Sequence, residues 1–143
     1  MEILKKILLL IISLSLFAKE SYSLNVVVDK LRDSKGEVIF SLYNKDGSLP
    51  DEKLEKYFKQ KKVSIEGTTS KVMFDNLEEA DYAIFMLHDE NKNGKIDKGF
   101  LLPTEGVGVS NFDTINILHK PNFQKASFRV DKNKIIIIKP IYF

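Results

Sequence analysis

Asp89, Asn91, Asn93, Lys95 and Asp97 alternate along "HDENKNGKIDKGF", His88 to Phe100, with Gly94 set among them. Oxygen-bearing side chains at every second position, then a glycine, open a calcium-binding loop, in which the chain curls around a hard cation that takes oxygen ligands. Asp89, Asn91 and Asn93 offer side-chain oxygens, Lys95 its backbone carbonyl, and Asp97 a carboxylate at the ninth position. The twelfth position of such a loop holds a glutamate that grips the ion with both oxygens. Here it holds Phe100, so the missing acid must come from a distant group, Glu105 first and Asp113 second. Lys92, Lys95 and Lys98 add opposing charge. Calcium affinity is therefore expected at the weak, extracellular end, on the order of 0.1 to 1 mM. A second reading of the same residues is a bare β-hairpin turn, with Asn93-Gly94 supplying positive φ angles. A strand leads in, not a helix, which excludes an EF-hand proper.

Other groups suggest chemistry less coherently. His88 has only His119 as a fellow histidine and no cysteine to complete a zinc set. Ser110, Asp113 and His119 are the residue types of a hydrolytic triad, but no nucleophile-elbow motif surrounds the serine. An alternative enzyme reading is a hydrolase using His88 with Asp89 or Glu105 as acid and base, which requires these groups to converge in a cleft. Along a regular strand His88 and Asp89 point to opposite faces. "PTEGVGVSN" has no Gly-Lys-Ser/Thr to hold phosphate, so Gly106 and Gly108 are read as a bulge or a close backbone approach.

The elements that position these residues are strands, because apolar residues recur with a period of two from Leu24 onward. "LNVVVDKL" and "EVIFSLYN" are read as a hairpin joined by "RDSKG", with Val38, Phe40 and Leu42 on one face. "KVSIEG", "KVMFDNL", "DYAIFMLHD", "INILH", "KASFRVD" and "KIIIIKPIYF" follow as further strands. "DYAIFMLHD" is apolar on both faces and is expected at the centre of a sheet. One helix is expected over "SLPDEKLEKYFKQ", with Ser48 as cap, Pro50 in the first turn, and Leu54, Tyr57 and Phe58 on its buried face. Seven to eight short strands in about 120 residues, with one short helix, predict an all-β antiparallel sandwich.

The first 23 residues stand apart. Lys5 and Lys6 precede a twelve-residue apolar run, Ile7 to Ala18, which has the length of a signal-peptide core and is short for a membrane span. Ser21 and Ser23 place cleavage before Leu24, with Ala18 as the alternative point, and residues 24–143 then form one domain. The expected location is periplasmic or secreted. The chain has no cysteine, which excludes disulfides and a lipid-attachment thiol. Loss of three lysines and two glutamates with the leader takes the charge from +2 to +1, which argues against nucleic acid as a partner. The expected partner is a protein or glycan of the envelope or extracellular space, met by an exported, non-catalytic binding or structural module with no membrane span. A further alternative is a small outer-membrane β-barrel, prompted by the terminal "IIIIKPIYF", although Lys139 and Pro140 interrupt that strand.

Three blocks, "YAIFMLHDENKNGKIDKGF", "PTEGVGVSN" and "PNFQKASFRV", together resemble the exported bacterial family known as domain of unknown function 2141. The shared features are a strand ending in His-Asp, a Glu-Asn-x-Asn-Gly-Lys-x-Asp loop, a Pro-x-Glu-Gly segment with Ser-Asn, and a Phe-x-x-Ala-x-Phe strand. The resemblance covers roughly residues 24–143 and is specific in the second half. It implies a small exported sandwich similar to transthyretin-like and immunoglobulin-like modules, and no reaction. His88 to Asp97, Glu105, Ser110 and Asn111 match the motif positions, whereas Lys92 stands where a glycine is usual.

Overall fold

A strand that buries one apolar face needs a second layer to cover it. In the computed structural model, which describes residues 1–15 and 19–143 with the side chains of 9–15 excepted, two sheets cover each other. The elements after helix α1 (Glu2–Ser15) are β1 (Tyr22–Val28), β2 (Glu37–Tyr43), β3 (Lys59–Val63), β4 (Ser70–Leu77), β5 (Ala80–Asp89), β6 (Val107–Val109), the single turn α2 (Phe123–Ala126), β7 (Phe128–Val130) and β8 (Lys134–Ile138). One sheet has the order β4-β1-β8 and the other β3-β2-β5-β6, while β7 pairs with the first residues of β5. Neither sheet closes into a barrel. Among the described residues no helix is long and apolar enough to cross a membrane.

The main core lies between the sheets. Leu24, Val26 and Val28 of β1 meet Val38, Phe40 and Leu42 of β2 and Tyr82, Ile84 and Met86 of β5. β5 is central, as its two apolar faces require. Its other face, Ala83, Phe85 and Leu87, continues in Val107 and Val109 of β6 and lies under a second apolar layer with Leu49 and Leu54 from a loop and Phe123 from α2. The edge strand β3 carries Lys59 and Lys61, whose ammonium groups reach the Asp75 and Met73 carbonyls of β4 at 3.2 and 2.7 Å. Charge on an edge strand discourages pairing with other chains.

Four local expectations are corrected. β1 and β2 do not form a hairpin but lie in opposite sheets. All pairings are antiparallel except β1 with β8, which run parallel from Leu24↔Lys134 to Val28↔Ile138. "INILH" is not a strand and holds only the isolated bridge Asn116↔His119. The helix expected from Ser48 is a turn-rich loop after a cis Leu49–Pro50 bond, and the one short helix of the sandwich is α2 instead.

The cause of the last difference is Asp51, which is buried. Its carboxylate accepts the Tyr43 hydroxyl at 2.9 Å and the N–H groups of Glu55 and Lys56 at 3.0 and 2.9 Å. Those N–H groups are ones a helix would give to its own carbonyls. Leu54 is buried at φ 54°, while Tyr57 and Phe58 remain exposed, so the expected apolar helix face does not form.

β1 starts at Tyr22, and Ser23 N–H donates to Asn133 Oδ1 at 2.9 Å. Cleavage before Leu24 would therefore trim the first two residues of the strand. The alternative point, Ala18, lies outside the described residues.

Candidate functional site

β5 ends in His88 and Asp89, and the strand's alternation sends them to opposite faces. His88 is fully buried. Lys35 O can only accept, so the 2.8 Å contact to Nε2 puts a proton there, and Nδ1 shares a 2.8 Å hydrogen bond with the Tyr142 hydroxyl. Tyr142 in turn accepts the Arg32 N–H at 3.0 Å. The Arg32 guanidinium forks onto Glu90 at 2.6 and 2.7 Å and holds the Glu90 carboxyl below its ordinary range. Asp33 and Glu90 also lie 3.7 and 3.8 Å from the imidazole. Both ring nitrogens of the buried His88 are already engaged, so this cluster is a fastening between β5, the loop after β1 and the C-terminal segment.

Asp89, on the other face, organises the polar loop. Its carboxylate accepts the N–H groups of Asn93 at 3.1 Å and Gly94 at 2.8 Å. Asn91 and Asn93 point their Nδ2 donors at Asp97, at 2.7 to 2.9 Å. Their own Oδ1 atoms accept the N–H groups of Asn93 and Lys95. Lys95 is exposed. Lys92 and Gly94 take positive φ, 55° and 73°, and Asn93 does not. The tight Asn-Gly hairpin turn is therefore not what the residues build. The loop is part of a 17-residue connection between β5 and β6.

Glu105 is brought to this loop by strand register. β6 pairs Val107 with Leu87, and His88 N–H donates to Gly106 O at 2.8 Å. One residue further, Glu105 falls opposite Asp89, and side chains directly opposite share a face. Two glycines permit the approach: a Cβ on Gly106 would overlap the Tyr142 ring, and one on Gly108 would lie 2.8 Å from Lys139 O. The close-approach reading of these glycines holds.

The resulting electrostatics are unusual. Glu105 is 4% exposed; Oε1 accepts Glu90 N–H at 3.0 Å, but the buried Oε2 has no hydrogen-bond partner. Burial, then the charges of Asp97 and Asp89, push its carboxyl up. Among the described residues no Lys, Arg or His forms an ion pair with Asp89, Asp97 or Glu105. Like charges directly opposite repel, and an unpaired buried charge is costly. The charges of Asp89 and Asp97 thus act on Glu105 without a protein cation between them, although among the described residues the acid set drawn within 4.8 Å is Asp33 and Glu90 with His88.

Asp113 does not enter the network described around Asp89, Asp97 and Glu105, and the hydrolytic set is not assembled. Ser110 Oγ donates to Ala126 O at 2.6 Å and accepts Ile84 N–H at 3.0 Å. Ile84 is four residues from His88, about 13 Å along the strand. Ser110 therefore seats β6 and α2 on β5, and Asn111 completes the join by donating to Ser127 O at 2.9 Å.

The fold and this loop sit within a recognisable unit. The family described as an uncharacterized protein conserved in bacteria (DUF2141) matches residues 26–137. The chain belongs to that family. No curated protein and no solved structure matches it. In this DUF2141 chain, residues 26–137 hold both the carboxylate cluster and the strand pairings that bring it together, while Tyr142 lies beyond them.

A second feature of the DUF2141 chain was not apparent in its sequence. The loops over the outer face of β5 and β6 leave an apolar groove of about 200 Å³, with Phe85, Val107 and Val109 at its base and Glu52, Lys98 and Lys120 among its lining. Its walls come from four separate stretches, within 49–52, 96–103 and 115–121 and at Phe143. The one sequence signal is the apolar pair right after the polar loop, Leu101 and Leu102, both of which line the groove.

Proposed function

We infer that the protein is an exported, non-catalytic binding module of the bacterial envelope whose loop end is ordered by a calcium ion. The ion is held by Asp89, Asp97 and Glu105, with the Lys95 carbonyl and the side-chain oxygens of Asn91 and Asn93 completing the set. The observation that carries this reading is the unpartnered, buried Glu105 Oε2 beside two further carboxylates that no protein cation neutralises. Asn91 and Asn93 turn N–H donors toward Asp97, where positive charge is most wanted. A calcium ion would supply that charge and allow the two amides to rotate their oxygens inward.

Export is supported by the positively charged start and twelve-residue apolar run of the first 18 residues. Weak affinity suits a compartment outside the cytoplasm, where modules of about 0.1 to 1 mM are common. Loops gathered at one end of a sandwich form its usual binding surface.

Calcium calorimetry and thermal melts of the purified protein test the reading. The expected outcome is saturable heat near 0.1 to 1 mM and a stabilisation of about 1.4–2.7 kcal/mol at 10 mM calcium. Glu105→Gln keeps the acceptor for Glu90 N–H while removing the buried charge. It should raise the melting temperature in chelator and abolish the calcium response. Absence of heat, with a melting temperature indifferent to calcium and chelator, would sink the ion.

A further inference from the structure

The outer groove is built for a ligand of a different kind from the ion. Its base is the apolar face of β5 and β6, Phe85, Val107 and Val109, of which the two valines are buried and Phe85 is partly exposed. Its volume, about 200 Å³, exceeds the roughly 150 Å³ of an apolar cavity that takes up benzene. An apolar body of about six to eight carbons therefore fits.

The rim has a definite charge. Lys98 Nζ lies 2.8 Å and Lys120 Nζ 4.0 Å from the same carboxylate, Glu52. The other acid of the lining, Asp51, is turned inward and spent on Tyr43 and two backbone N–H groups. Two ammonium groups thus share one carboxylate at the mouth, and both are substantially exposed, Lys120 at 61%. A second carboxylate placed beside Lys120 completes the pairing. Leu101 and Ile117 also line the groove and are themselves exposed, at 60% and 50%. They are placed to cover the tail of whatever enters.

We propose that this groove binds a small anionic amphiphile, a medium-chain carboxylate whose tail lies on Phe85, Val107 and Val109 and whose head pairs with Lys120 and Lys98. The proposal rests on the binding-module part of the reading above and not on the calcium ion. The two meet only through the chain: Ile96 lines the groove and Asp97 belongs to the carboxylate cluster.

Calorimetry of the full chain with octanoate, octanol and octylammonium, each in chelator and in calcium, tests it. Octanoate should bind at one site, octanol about fivefold more weakly, and octylammonium more weakly still, since an exposed ion pair contributes up to about 1 kcal/mol. Lys120→Glu changes an exposed residue and should weaken octanoate about fivefold or more while leaving octanol unchanged. Ile117→Trp, at the half-exposed groove wall, should block both without altering the circular dichroism spectrum. Equal binding of all three probes, no octanoate heat from folded protein, or uptake only onto anionic vesicles would overturn the proposal. So would dimerisation that Ile117→Trp abolishes, since the groove would then belong to a second copy. Octanoate binding in chelator with no calcium heat would remove the ion and keep the groove. Calcium heat with no octanoate binding would do the reverse.

Discussion

At the scale of single residues, the candidate site depends on where carboxylates find partners. Asp89 is buried yet satisfied by two backbone N–H groups, whereas Glu105 is buried with one oxygen unpartnered. The spacing of Asp89, Asn91, Asn93 and Asp97 was legible in the sequence because a curling loop presents alternate side chains inward. The environment of Glu105 was not, because it arises from a strand paired 16 positions away. Lys92 shows the same division. The resemblance leads to the expectation of a glycine at its place, and the backbone there would suit one: φ is 55°, in the left-handed region that L side chains resist. Lys92→Gly should stabilise the protein by about 0.5–1 kcal/mol, the left-handed penalty less glycine's extra freedom when unfolded. It should also tighten calcium about two- to fivefold by removing an exposed like charge. Urea denaturation and calorimetry check the two effects separately.

At the scale of elements, alternation identified most strands and failed where a side chain competes with backbone hydrogen bonding. β2 and β5 are buried on both faces, and of the two β5 was readable as a central strand. The segment from Ser48 to Gln60 has caps and helical apolar spacing, yet Asp51 takes up the N–H groups that would build the helix. Asp51→Ala should therefore destabilise the fold by about 2–4 kcal/mol, since it leaves the buried Tyr43 hydroxyl and two N–H groups without their acceptor. The urea midpoint should fall with an unchanged slope. Had the segment been helical, losing an acid from its first turn would cost under about 1 kcal/mol. β6 was missed as a strand because three residues, two of them flanking Gly108, carry too little pattern to register.

At the scale of the whole molecule, β1 closes the fold by lying between β4 and the parallel β8, so residues near the two ends of the chain share one sheet. A protein beginning at Lys19 should be more stable than one beginning at Leu24 by about 1–2 kcal/mol, through the Ser23–Asn133 bond and the partly buried Tyr22. Paired melts of the two forms, with N-terminal sequencing of the exported protein, check this and place the cleavage. The all-β sandwich, the basic and apolar N-terminal run and the alternating Asp and Asn residues of the loop follow from the sequence alone, because period-two alternation and side-chain spacing are properties of neighbouring residues. Only the tertiary structure decided that β1 and β2 part into different sheets, that Glu105 faces Asp89, and that loops leave a groove on β5 and β6. Each of these depends on contacts between distant stretches, in particular the two glycines that let β6 lie under Tyr142 and Ile138, and distant contacts leave no periodic trace.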